Sequence, residues 1–318
     1  MTWHTSRRSL LRTTGAAAGA MGLSSLAGCM GTIGSGSGVK VSSKQFTEQR
    51  VLGYLAYETL SENTDLEISD ETGLGGTTQN FEALRSEEID LYWEYTGTAW
   101  LTLPPQHDDP IADSDDIHSE VKQEFESEHG IAVLEYAPLD NAYVLTANPD
   151  WHEETGVDSL SELAAHVNDG NTDLDQVMNA EFSERDDGWP GLVEHYNFDD
   201  DAVDDLADNT RTVDDEVVYQ VVGEGEADIG MGFNTDPRIL QFDLHVFEDD
   251  EDFFPAYNAV PLVREELLEE SPEIGDVLNE LTPLLDTDTI REMNNEVANE
   301  DRNPQNVASE FLEDEGLI

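Results

Sequence analysis

The sequence predicts an α/β protein built on parallel sheet, and three observations predict it. Short strand-like runs alternate with helical patterns from Val39 to Trp93, the alternation begins again near Tyr143, and from Ala259 the pattern returns to a strand followed by helices. Val39-Lys40-Val41 opens as a strand. Thr47 stands where it can cap a helix running to about Ser61, with Leu52, Leu55, Ala56, Thr59 and Leu60 on one face. Leu66 to Ser69 reads as a strand, Gly73-Leu74-Gly75-Gly76-Thr77 as a turn, Thr78 to Arg85 as a helix and Ile89 to Trp93 as the next strand. The second series has strands at Tyr143 to Ala147 and Ala227 to Met231. Its helices are Ser159 to Val167, Gly191 to Tyr196 and Asp214 to Val222. After Ala259 come helices at Glu273 to Leu285, Asp288 to Ala298 and Pro304 to Leu312, read as a docking C-terminus. Glu88 to Thr96 and Glu226 to Asn234 echo each other: acidic turn, Asp, short strand, aromatic. Ligands of open α/β sheets bind beyond the carboxyl ends of strands, which is where Tyr95 and Phe233 would stand.

The 318-residue chain carries 14 Lys plus Arg against 72 Asp plus Glu, a formal charge of -58. Such a surface repels nucleic acid and anionic lipid, so neither is an expected partner. The acids are interleaved with periodic apolar segments, which argues for a folded protein adapted to concentrated salt and against disorder. In multimolar salt the Debye length falls to about 3 Å or less, and self-repulsion is weak. Acid runs such as Asp199-Asp200-Asp201 and Glu248 to Asp252 read as solvated surface.

Ser6-Arg7-Arg8-Ser9-Leu10-Leu11 is a twin-arginine signature. A weakly apolar stretch from Thr13 to Leu26 follows, and then Leu26-Ala27-Gly28-Cys29, which resembles a lipobox. Residues 1–28 are thus expected to be an export leader, and 29–38 a lipidated Cys29 with a Gly/Ser-rich tether. Cys29 is the sole cysteine, so no internal disulfide can form.

Ser43-Lys44-Gln45-Phe46-Thr47-Glu48-Gln49, Gly73 to Thr77 and Glu94-Tyr95-Thr96-Gly97-Thr98 stand in one family's order and spacing. So do Glu181 to Gly188 and Pro255-Ala256-Tyr257. Over residues 39 to 318 the chain resembles the substrate-binding proteins of glycine betaine/carnitine/choline ABC transporters. The resemblance implies a two-lobed periplasmic-binding-protein fold, type II-like, whose lobes close over a ligand by hinge motion. Residues 39–140 would begin the first lobe, 141–240 would form the second, and 241–318 would return to the first. The crossings are expected near Leu139 to Asn141 and Thr235 to His245. The implied partners are a small quaternary amine and a membrane permease, with the protein a monomer outside the cell, touching the membrane only through its lipid; the alternatives are a choline- or carnitine-preferring binding protein, or a compatible-solute receptor that docks a chemotaxis transducer.

A quaternary ammonium has no N–H donor, so hydrogen bonds cannot select it. Aromatic faces can, at roughly 0.5–2 kcal/mol per cation–π contact. The resemblance assigns this cage to Tyr95, Tyr143, Phe233 and Tyr257, and the ligand carboxylate to Lys44, Thr98 and Arg185. Phe233 departs from the family's usual tyrosine. Lys44 is one of three lysines, with Lys40 and Lys122, and in a chain so poor in cations Lys44 and Arg185 together are expected to dominate the cleft's local field. Arg185 can hold a carboxylate bidentately. Asn141 and Asp236 would orient these groups. The Gly-rich turn lacks the Gly-Lys-Ser/Thr ending of a phosphate loop, the histidines show no metal-ligand spacing, and no nucleophile–base pair stands out. Neither cofactor, metal nor enzymatic activity is expected. Circular dichroism should report a folded chain in multimolar KCl and loss of helix on transfer to dilute buffer. Equal folding in both contradicts the salt-adapted reading.

Overall fold

The computed structural model describes residues 38–107, 110–184 and 188–318, and at 215–216 the backbone alone. The first lobe opens with β1 (Val39–Lys44), α1 (Thr47–Asn63), β2 (Ile68–Gly75), α2 (Thr77–Arg85), β3 (Leu91–Tyr95), α3 (Thr96–Thr102), α4 (Ser114–His129) and β4 (Ile131–Val133). The second lobe holds β5 (Tyr143–Ala147), α5 (Pro149–Thr155), α6 (Leu160–Asn168), β6 (Gln176–Met178), α7 (Trp189–His195), α8 (Asp200–Ala207), β7 (Thr210–Thr212), α9 (Asp215–Gly223), β8 (Ile229–Phe233), α10 (Arg238–Gln241) and β9 (His245–Val246). The chain then returns through β10 (Ala259–Arg264), α11 (Glu265–Glu270), α12 (Glu273–Leu281), α13 (Thr287–Ala298) and α14 (Pro304–Glu315).

Each lobe is built on a five-stranded mixed sheet, ordered β2-β1-β3-β10-β4 in the first and β7-β6-β8-β5-β9 in the second. In each, three parallel strands are followed by an antiparallel one: β10 against β3, and β5 against β8. All five residues of β3 are buried, as befits a strand covered on both faces. Leu91, Trp93 and Tyr95 pack with α1 and α12–α14, while Tyr92 packs on the other face with residues of α2 and α4. On α1 the expected face of Leu52, Leu55, Ala56, Thr59 and Leu60 is buried.

The sequence echo is also a structural one. Asp90 donates its N–H to the Lys40 carbonyl, and its carboxylate accepts the Lys40 N–H. Asp228 does the same with Asp175 in the other lobe. Both Asp residues tie the entry of a central strand (β3 or β8) to its parallel neighbour, and Tyr95 and Phe233 are the last residues of those strands.

Several boundaries differ from expectation. Thr47 is the first helical residue of α1, and extended Phe46 occupies the cap position without a side-chain bond. Gly73-Leu74-Gly75 belong to β2 and are not a turn. Gly73 takes φ 78°, and the β1–β2 register slips between Ser42 and Lys44, so the glycine absorbs a bulge. The expected helix from Glu273 to Leu285 ends at Leu281 and gives way to one 3₁₀ turn, Thr282–Leu284, which contains Pro283.

The second crossing also comes later than Thr235 to His245, so the expected break after residue 240 is corrected. β9 pairs with β5, and Leu244, Phe247 and Phe254 lie in the second lobe's core, whereas Ala256 lies in the first's. The acidic run causes the delay. Asp249 accepts the Tyr196 hydroxyl and the N–H groups of Phe253 and Phe254, folding 248–254 back onto the second lobe. The chain crosses at 255–258, beside the first crossing, where Asp140 bridges Asn258.

Candidate functional site

Between the lobes lies a cavity of about 720 Å³, within the range of small-molecule sites. Its lining includes Lys44, Tyr95, Thr98, Asn141, Tyr143, Phe233, Asp236 and Tyr257, so eight sequence-predicted residues converge on one space. Arg185 and Cys29 lie outside the described residues.

The Glu-Tyr-Thr-Gly-Thr block builds much of the first-lobe wall. Glu94 is fully buried, accepts the Tyr95 N–H at 2.8 Å and pairs with the ammonium of Lys44. Tyr95 ends β3 facing the cavity. Thr96 and Asn258 exchange hydrogen bonds, the Thr96 N–H to the Asn258 carbonyl at 2.9 Å and the Asn258 N–H to the Thr96 hydroxyl at 3.2 Å. Gly97 admits Tyr257: a Cβ there would stand 2.7 Å from Tyr257 Cε1 and 2.8 Å from the Ala256 carbonyl oxygen. The Tyr257 N–H is held by Asp140 Oδ1 at 2.7 Å, and its carbonyl accepts the Asn141 N–H. Tyr257 thereby packs against the cores of both lobes.

In the second lobe, Tyr143 and Phe233 are directly paired across β5 and β8 and stack at 5.0 Å between ring centroids. The far side of Tyr143 meets buried Phe182, three residues before Arg185, at 5.2 Å.

Lys44 lines the cavity with a carboxylate partner of its own. Its ammonium lies 5.0 Å from the centroid of Tyr95, but its charge is matched by Glu94 in a pair that is 5% and 0% exposed. Asp236, expected to orient a carboxylate-binding group, holds Arg238 through two hydrogen bonds, Nε to Oδ1 at 2.9 Å and a terminal nitrogen to Oδ2 at 2.5 Å. Arg238 also lines the cavity and lies 4.3 Å from the Tyr219 ring centroid.

Sequence reasoning missed Glu48. It is 3% exposed and faces the cavity. Its carboxylate accepts hydrogen bonds from the Tyr95 hydroxyl (2.5 Å), Asn141 Nδ2 (3.2 Å) and Asn294 Nδ2 (3.0 Å), and from the Thr235 side chain. All four partners are uncharged. Burial pushes the Glu48 carboxyl above the ordinary carboxylate range, and the four bonds oppose that shift. Burial, together with the negative field of Glu48, raises the Tyr95 phenol well above its ordinary value and keeps it a donor. The motif Ser43 to Gln49 contained Glu48 and Phe46. Phe46, 46% exposed, lies over Tyr95 with rings 6.4 Å apart and nearly parallel. Asn294 carried no local signal, since it reaches the cleft from α13 in the segment read only as a docking C-terminus.

Lys44→Ala would leave Glu94 buried and unpaired, which costs about 3–5 kcal/mol. Chemical unfolding in high salt should show that loss without ligand present. A change below about 1 kcal/mol would mean the pair is not what holds Glu94.

Residues 37–314 match the family model described as the substrate-binding domain of an ABC-type glycine betaine transport system. The chain is 32% identical over 286 residues to the chemotactic signal transduction system substrate-binding protein CosB of Halobacterium salinarum, covering 88% of this chain and 84% of that one. It is 30% identical over 286 residues to the glycine-betaine-binding protein of Pseudomonas aeruginosa, covering 88% of each. Among solved structures, apo YehZ from Escherichia coli superposes with a TM-score of 0.79 at 26% identity, over 89% of this chain and 100% of that one. Two mixed-sheet lobes, a cleft between them lined by aromatic residues from both, and a family match along nearly the whole described chain agree: this protein belongs to the substrate-binding domains of ABC-type glycine betaine transport systems.

Proposed function

We propose that the cleft captures a quaternary-ammonium solute, glycine betaine first among them, for delivery to an ABC permease. The carrying observation is that Tyr95, Tyr143, Phe233 and Tyr257 line one cavity together with the buried carboxylate of Glu48. Aromatic faces suit a methylated cation, at roughly 0.5–2 kcal/mol each, and Glu48 adds a counter-charge that no cationic side chain neutralises through a direct bond among the described residues. Lys44, Thr98 and Arg185 would hold the carboxylate end, with Arg238 as a further second-lobe cation beside it. The protein works outside the membrane, held through Cys29 after twin-arginine export, in a salt-rich medium. No described helix is long and apolar enough to cross a bilayer.

A second reading has support of its own. The Halobacterium relative is named for chemotactic signal transduction, so the loaded protein would dock a transducer. A deletion strain that takes up betaine normally but fails to swim toward it would favour that role over import.

Calorimetric titration in high salt should show betaine binding tighter than choline. It should also show Tyr95→Ala losing roughly tenfold or more in betaine affinity, a loss of about 1.4 kcal/mol, while remaining folded. Tighter binding of choline would overturn the choice of ligand. An unchanged Tyr95→Ala would remove this ring from the cage.

The pH dependence has a definite sign. A cation binds the ionised form of Glu48 better, so affinity should rise with pH through the raised Glu48 value and then level off. Stability runs the other way. Because its folded pKa is raised, Glu48 contributes stability that is present below the ordinary carboxylate value and lost as pH rises through the raised one. Asp140, pushed up by burial to about 6, adds a stability change of the same sign. Glu48→Gln isolates the Glu48 share, and the difference in affinity between wild type and variant should shrink toward acid. A constant difference from pH 4 to pH 8 would contradict the counter-charge role.

A further inference from the structure

On the second lobe, away from the residues lining the cleft, two histidines and a carboxylate meet. His152 comes from α5, Asp158 from the loop before α6 and His245 from β9. One ligand atom from each lies within 4.8 Å of the others. Tetrahedral zinc, with ligands at about 2.0–2.2 Å, needs donor atoms about 3.4 Å apart, so the three side chains would draw in and the two rings would turn out of their stack to point at one ion. His152 Nε2 is already 2.7 Å from Asp158 Oδ1. The two imidazoles lie parallel with centroids 3.6 Å apart.

The backbone beneath is fixed. The Asp158 N–H donates to Glu162 at 2.9 Å, and its carbonyl accepts the Glu248 N–H at 3.0 Å. β9 is held to β5 through the pairing of His245 with Ala147. α5 is capped by Asn148 at one end and by left-handed Gly156 at the other. The sequence showed no ligand spacing because the third ligand lies far along the chain from the first two.

We propose that His152, Asp158 and His245 form a binding site for a divalent transition metal of the Zn²⁺ class, with an open coordination position toward solvent. Two neutral imidazoles and one carboxylate suit borderline metals and not Ca²⁺ or Mg²⁺, which take oxygen ligands. The strongly acidic surface would raise the local cation concentration, while the imidazoles would supply the selection. A bound ion would join α5, the α6 entry and the edge strand β9, clamping the segment that precedes the second crossing. The simpler alternative is a protonated His152 paired with Asp158, with no metal affinity.

Titration of the full chelator-treated chain with ZnCl₂ in high salt separates them. One equivalent should bind in the micromolar range and raise the thermal midpoint, with no response to equal MgCl₂ or CaCl₂. His152→Ala and His245→Ala should each weaken that binding at least tenfold while leaving betaine titration unchanged, which also verifies folding. Zinc binding that is absent up to millimolar concentration, or equally strong in the doubly substituted chain, would overturn the proposal, the latter by placing the ion on surface carboxylates.

Discussion

The cleft is organised around one buried carboxylate. Glu48, near the start of α1, draws donors from Tyr95 at the end of β3, Asn141 at the first crossing, Thr235 after β8 and Asn294 on α13. A buried carboxylate without partners costs several kcal/mol, so these segments are constrained to meet at it. That meeting point is the place where an entering cation would find its charge complement. The raised pKa is the sign of how incompletely uncharged donors replace water, and a methylated cation would supply what they lack.

The two lobes reach this point by the same local device. Asp90 and Asp228 lock the entries of β3 and β8 to their parallel neighbours, and each strand delivers an aromatic from its carboxyl end. The crossings complete the frame. Asp140 holds the Tyr257 N–H, and Asn258 answers both Leu139 and Thr96, so the ring of Tyr257 is fixed by the same few bonds that join the two passages of chain.

Much of this was legible in the sequence because it is local. Strand-helix alternation carries the sheets, and the Glu-Tyr-Thr-Gly-Thr block carries Tyr95 and Thr98 together with the glycine that admits Tyr257. What escaped was long-range pairing. Nothing local to Lys44 marks its partner, because Glu94 lies fifty residues on. Asn294 gave no hint because an exposed-looking polar residue of an amphipathic helix carries no mark of what it faces. The acidic run 248–252 reads as solvated surface, whereas Asp249 is a turn-closing acceptor that delays the second crossing. Sequence spacing likewise hides the meeting of His152 and His245, because β9 folds an edge strand back beside α5.

If the cleft is a betaine site, a trimethylammonium group rests among its aromatic rings beside Glu48. A crystal structure of the protein grown in concentrated salt with glycine betaine would locate that group. The methyl groups should lie in van der Waals contact with Tyr95, Tyr143, Phe233 and Tyr257, and the nitrogen nearer to Glu48 than to any other carboxylate. Betaine bound with its methyl groups in solvent, or with its carboxylate turned toward Glu48, would contradict it.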